Sequence, residues 1–192
     1  VARLGQSLGD HIDRRIAPPA AEDDTELGEL GGHVIIAGYG RVGQLVGQML
    51  AEQGVGYVAI ENDARLIAHQ RKVGVPLVFG DASRPELLET AGIDKARLLV
   101  VAIDNREQAL QIVEHVHRIR PDLPIVARAY DRLHTYALHH AGGQMIVRET
   151  FDAAVRSGRE ALQFLGVDKA LAEKLSTFYY HRDRHSVRRM AE

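Results

Sequence analysis

Three glycines at fixed spacing carry the strongest chemical signal in the chain. Gly38-Tyr39-Gly40-Arg41-Val42-Gly43 reads G-x-G-x-x-G and follows the apolar, β-branched run Val34-Ile35-Ile36-Ala37. Such a run is expected to form a buried strand. Past the first glycines, Val42, Leu45, Val46, Met49 and Leu50 recur at helical spacing. A strand that breaks into a helix through this turn suits a phosphate. Gly38 permits the tight bend, Gly40 leaves room for a phosphate or pyrophosphate against the main chain, and Gly43 lets the helix lie close to the sheet. Free N–H groups in the first helical turn then face the anion. Arg41, at the mouth of the helix, is expected nearest the phosphates; its alternative is a surface arginine.

A carboxylate extends the pattern. Glu61 ends the second predicted strand, 23 residues after Gly38, near the offset of about 20 at which an acid meets a nucleotide's ribose. It can accept from both ribose hydroxyls and would repel a 2′-phosphate. The expectation is an adenine-nucleotide site; the plain alternative is a structural glycine turn with Glu61 as a capping or surface acid.

The elements that must position these residues alternate. Strands are predicted at 33–37, 57–61, 75–79, 97–102 and 124–129, with a sixth near 144–147. Helices are predicted at about 42–53, 63–72, 84–91, 105–119 and 131–140. In the fourth of these helices Ala109, Ile112, Val113, Val116 and Ile119 define one apolar stripe. Short apolar runs separated by segments of period near 3.6 are the signature of a parallel sheet with right-handed crossovers. The predicted fold is an α/β, Rossmann-like, doubly wound six-stranded sheet of order 3-2-1-4-5-6, with additional C-terminal helices. Its ligand crevice opens at the carboxyl ends of the first and fourth strands.

Polar residues stand where that crevice should be. Asp81 and Ser83, in Gly80-Asp81-Ala82-Ser83, either cap the helix opening at Arg84-Pro85 or border the site. Asp104 has the same two readings. Arg128, between Ala127 and Ala129, would be costly in a sheet interior unless it met a carboxylate or a phosphate. Ligand contact and a salt bridge at the strand end stay equally open for it.

No arrangement for catalysis is visible. There is no Tyr/Lys pair at helical spacing and no G-x-S-x-G elbow. Of the ten histidines, His115 and His117 lie two apart and His139 and His140 are adjacent, so neither pair shares a helix face. His181 and His185 could share one, but no acidic ligand lies between them, and no metal site is expected. The absence of cysteine excludes disulfides, thiolate metal sites and cysteine nucleophiles. A net charge of -2 gives no reason to expect nucleic acid as a partner. No run of residues approaches the ~18 apolar residues of a membrane span.

The ends of the chain differ from its middle. Residues 1–32, with Pro18-Pro19 and a glycine-flanked acidic stretch from Glu22 to Glu29, read as a linker, either a tether or a docking surface. The first residue is Val, and the expectation is a piece of a longer protein with a membrane portion upstream. Residues 33–147 form the nucleotide-binding unit and 148–192 a helical extension. In the extension, Phe151, Ala154, Val155, Leu162 and Leu165 share a stripe, and a last helix runs from about 169. An exposed apolar stripe needs a partner in the same chain or in a second subunit. The tail from Phe178 to Arg189 is basic and aromatic, either a solvated helix face or a contact for a membrane or partner.

The run HVIIAGYGRVGQLVGQML, then Glu61, then VFGDASRPELLETAGIDKARLLVVAID, IVARAYD and RETFDAAVRSGREALQFLG resembles the RCK/KTN (TrkA-N type) regulatory domains of potassium channels and transporters. It is most similar to the C-terminal cytosolic domains of bacterial monovalent cation:proton antiporters, the glutathione-gated Kef efflux proteins among them. The resemblance implies a non-enzymatic homodimer on the cytoplasmic face of the bacterial inner membrane, beneath a transmembrane antiporter domain of the same chain. It implies NAD(H) or AMP bound by Gly38, Tyr39, Gly40, Arg41, Val42, Gly43, Glu61, Asp81, Ala82 and Asp104. It also implies a glutathione or thiol-adduct site near a subunit interface, involving Arg128 and the helix around Arg156 and Arg159. The rival expectations are an NAD-dependent oxidoreductase and a separate soluble subunit of a potassium transporter.

Overall fold

The structure, a computed structural model, describes residues 31–191, with side chains as far as Asp183. Most of the expected linker at 1–32, and the side chains of the basic tail from Arg184 onward, lie outside the described residues. Strands and helices alternate as β1 (Val34–Ala37), α1 (Arg41–Glu52), β2 (Tyr57–Glu61), α2 (Ala64–Arg71), β3 (Leu77–Phe79), α3 (Pro85–Thr90), β4 (Leu98–Val101), α4 (Arg106–Ile119), β5 (Ile125–Ala129), α5 (Arg132–His140) and β6 (Met145–Arg148). Two further helices follow, α6 (Glu149–Phe164) and α7 (Lys169–Ala191). The six strands make one parallel sheet of order β3-β2-β1-β4-β5-β6, as predicted.

Successive side chains of a strand point to opposite faces, and both faces of this sheet are covered. On one, Ile35, Val58, Ile60, Leu99 and Ile125 pack with Leu88 of α3, Ile112 and Val116 of α4 and Leu138 of α5. On the other, Val34, Ile36, Tyr57 and Ala59 pack with Tyr39 and Ile67, and against Val46 and Leu50 of α1. This double covering explains why the central strands read as unbroken apolar runs rather than alternating ones. β3 starts at Leu77, later than predicted, because Pro76 has no N–H to give the ladder.

Two predicted stripes are adjusted by the packing. In α4 the stripe is buried except for Ile119, 43% exposed at the last helical residue. In α1 Leu45 and Met49 face outward, 59% and 64% exposed, and the buried positions are Gly43 and Gly47. The reason is a tyrosine pair beneath the helix. A Cβ on Gly47 would lie 2.8 Å from Tyr39 Oη and 3.0 Å from the Tyr57 ring.

α6 and α7 pack on one another through the edge contact of Phe151 with Tyr180, 5.4 Å between centroids, and the hydrogen bond from Tyr180 to Asp152. The buried Asp183 pins α7 to the body by ion pairs with Arg132 at 2.9 Å and with Arg148 of β6. The stripe expected on α6 is covered only in part: Phe151, Val155 and Leu162 are half-buried, while Ala154 and Leu165 are exposed.

A nucleotide-shaped cleft at the sheet switch point

Strands β1 and β4 lie side by side and parallel, the chain continues from them to opposite sides of the sheet, toward β2 and toward β5, and a cleft of about 390 Å³ opens at their carboxyl ends. Gly38 and Gly40 of the turn, Glu61-Asn62-Asp63 after β2, Gly80-Asp81-Ala82 after β3 and Ala102 to Asn105 after β4 line it. Leu66 of α2 and Gln108 of α4 close its sides. Pockets of 300–1,000 Å³ are the usual size for small-molecule ligands.

The three motif glycines have different reasons to be glycine. Gly38 holds φ +90°, and a Cβ there would lie 2.6 Å from the Ile103 side chain. A Cβ on Gly43 would come within 2.1 Å of the Gly38 carbonyl oxygen, a backbone atom that cannot swing away. Both are demanded by the fold. Gly40 is not: its φ is -66°, and a Cβ there meets nothing within 4 Å. The space its missing side chain leaves belongs to the cleft. Gly40 is also the N-cap of α1, which has no side-chain cap and no acid in its first turn. By contrast α2, α4 and α5 are capped by Asp63, Asn105 and Asp131. An uncapped helix start beside a vacant side-chain position suits an anion.

Glu61 is buried and fixed. Its Oε2 accepts the Tyr39 N–H at 2.7 Å, and its Oε1 accepts the N–H groups of Asn62 and Asp63 at 2.8 and 2.9 Å. A carboxylate offers about four acceptor sites, so one remains for a hydroxyl. Glu61 thus ties the glycine turn to β2 as well as facing the cleft.

The Tyr39 side chain does not reach the cleft. It is buried and stacked with Tyr57 at 6.1 Å, with the two hydroxyls 2.7 Å apart. Burial pushes both phenols above their ordinary range. The contribution of Tyr39 to the cleft is its backbone. Arg41 and Val42 lie at the start of α1 outside the cleft wall, Arg41 exposed, and Gly43 is buried beneath it.

Asp81 and Ser83 do not cap α3, whose N-cap is Arg84 with no side-chain bond and whose first turn holds Pro85. The Asp81 carboxylate accepts instead from Ser83 and from Gln108. Asp104 does not cap α4, because Asn105, one residue later, takes that place with bonds to the N–H groups of Glu107 and Gln108. Asp104 lines the cleft and pairs with Arg128, whose Nε meets Glu149 at 2.5 Å. Arg128 therefore bridges the cleft rim to the first residue of α6. Arg156 and Arg159 stand two to three turns further along that helix, roughly 10–15 Å by helical rise. Asn62, Leu66 and Gln108 also line the cleft, and spacing alone does not single them out. Only the Asp63 and Asn105 caps had a readable signal, a short polar residue at a helix start.

This turn, acid and sheet order define a class, the Rossmann-like nucleotide-binding fold. The TrkA-N domain family matches residues 34–149, and the chain belongs to that family. It is 39% identical over 178 residues, 93% of its length, to the glutathione-regulated potassium-efflux system protein KefC of Salmonella arizonae, and spans 29% of the length of that protein. It superposes with a TM-score of 0.76 on the AMP-bound Kef C-terminal domain of Shewanella denitrificans, at 42% identity over 83% of this chain and 98% of that one. The TrkA-N domain of the inner membrane protein ybaL of Escherichia coli follows, with a TM-score of 0.64 and 29% identity over 71% of this chain and 98% of that one.

Proposed function

We propose that the domain binds an adenine nucleotide, AMP or NAD(H), in the cleft, and that its occupancy gates a potassium-efflux or cation:proton antiporter at the cytoplasmic face of the inner membrane. The observation that carries this reading is the open position at Gly40, beside an uncapped helix start and opposite the buried Glu61. The relative solved with AMP supports the choice of nucleotide. The efflux and inner-membrane relatives favour a regulatory module over the oxidoreductase and the separate-subunit alternatives. Among the described residues no helix is long and apolar enough to cross a membrane.

The mechanism is linkage. The nucleotide moves the gate only by the difference in its affinity for two arrangements of the protein. A second copy of the chain is the partner favoured for the uncovered apolar surface of α6 and α7, where Phe164 is 92% and Leu165 82% exposed. The relative named for glutathione supports a thiol-ligand site near Arg128, Arg156 and Arg159, where Arg128 meets the start of α6.

Calorimetric titration tests the reading. AMP and NADH are expected to bind, and NADPH about 10-fold or more weakly, since its 2′-phosphate meets the Glu61 carboxylate. A chain that binds neither AMP nor NADH overturns the proposal.

A further inference from the structure

Three hydrogen bonds fix the Asp81 carboxylate. Oδ1 accepts from the Ser83 backbone N–H at 2.9 Å and from Ser83 Oγ at 2.8 Å, and Oδ2 accepts from Gln108 Nε2 at 2.9 Å. An ionised carboxylate only accepts, so the Gln108 amide has one orientation. Nε2 is committed to Asp81, and Oε1 is the group the amide has left to offer. Both residues line the cleft, although they lie on different elements 27 positions apart.

The order of groups along the cleft follows the strand order. The α1 start lies at the end of β1, Glu61 at the end of β2 and Asp81 past the end of β3. A nucleotide with its phosphate on α1 and its ribose at Glu61 extends its base toward β3, where Gln108 forms part of the wall from α4. We propose that Gln108 selects the purine. Its Oε1 accepts the 6-amino group of adenine and opposes the 6-oxo group of hypoxanthine or guanine, and Asp81 holds the amide in that sense. This inference rests on the nucleotide reading above.

Paired titrations of AMP and IMP test it. The wild-type chain prefers AMP by about 10-fold, the value of roughly one hydrogen bond made or opposed. Gln108→Met removes the oriented acceptor and brings the two affinities within about 3-fold of one another. Asp81→Asn gives an independent arm. Its Oδ1 keeps the Ser83 donors, its new NH2 faces Gln108, and the Gln108 amide must reverse to present Nε2 to the base. The preference then moves toward IMP. A Gln108→Met chain that keeps the wild-type AMP-to-IMP ratio overturns the role of Gln108 and leaves the nucleotide site standing. So does an Asp81→Asn chain that binds AMP with the ratio unchanged. A wild-type chain that binds neither nucleotide overturns both.

Discussion

Replacing the motif glycines one at a time separates what the fold needs from what the ligand needs. At Gly43 an added methyl would sit 2.1 Å from the Gly38 carbonyl oxygen. That oxygen cannot retreat, because Gly38 is held by its N–H bond to Ile60 and by Ile103 at its back. Overpacking of this kind costs about 1–3 kcal/mol. At 2–4 °C per kcal/mol for a domain of this size, Gly43→Ala should lower Tm by roughly 2–12 °C. At Gly40 the same methyl meets no protein atom, and the backbone angles suit any residue. Loss of some N-cap preference, a few tenths of a kcal/mol or more, is offset by about 0.4–1 kcal/mol from a less free unfolded chain. Gly40→Ala should therefore leave Tm within about 2 °C of wild type. It should weaken AMP binding about 10-fold or more, because the methyl occupies the space through which a phosphate reaches the α1 amides. Thermal unfolding by circular dichroism without ligand, and calorimetry with AMP, read the two effects separately. A Gly40→Ala chain with wild-type affinity, or a Gly43→Ala chain with wild-type Tm, would refute the assignment of these glycines.

Other perturbations follow from the packing. Tyr57→Phe strands the Tyr39 hydroxyl in the core and should cost about 1–3 kcal/mol in urea unfolding, while the double change to Phe at 39 and 57 should recover most of that loss. Asp183→Ala leaves Arg132 and Arg148 without their shared carboxylate. It should destabilise by roughly 3–5 kcal/mol where the pair is buried, less for the half-exposed Arg132, and hydrogen exchange should rise first in α7. Burial pulls His134 below its ordinary value of 6.5, with the Asp131 charge opposing the shift. The unfolded chain then takes up this proton first, so stability is fully present above about pH 6.5 and declines as pH falls from there toward the folded pKa. His134→Gln should flatten the loss between pH 7 and pH 5 in urea unfolding, and an unchanged slope would exclude His134 as its source.

Local pattern determined much of this protein. The β-branched runs, the 3.6-residue periods between them and the glycine turn were enough for six parallel strands, their order, and a cleft at the β1–β4 divergence. Each signal lies within a few residues of the structure it specifies, and the handedness of crossovers links one to the next. Glu61 was legible for the same reason, as an acid at a strand end. The tertiary structure decided which groups meet across the sheet. Only there does Tyr39 turn its ring onto Tyr57 and away from the cleft, Gln108 reach Asp81, Arg128 join Asp104 to Glu149, and Asp183 gather two arginines. These partners are side chains 18 to 51 positions apart in the chain. No periodicity records such a meeting, because it depends on how closely whole elements approach, and at α1 that distance is set by Gly43 and Gly47.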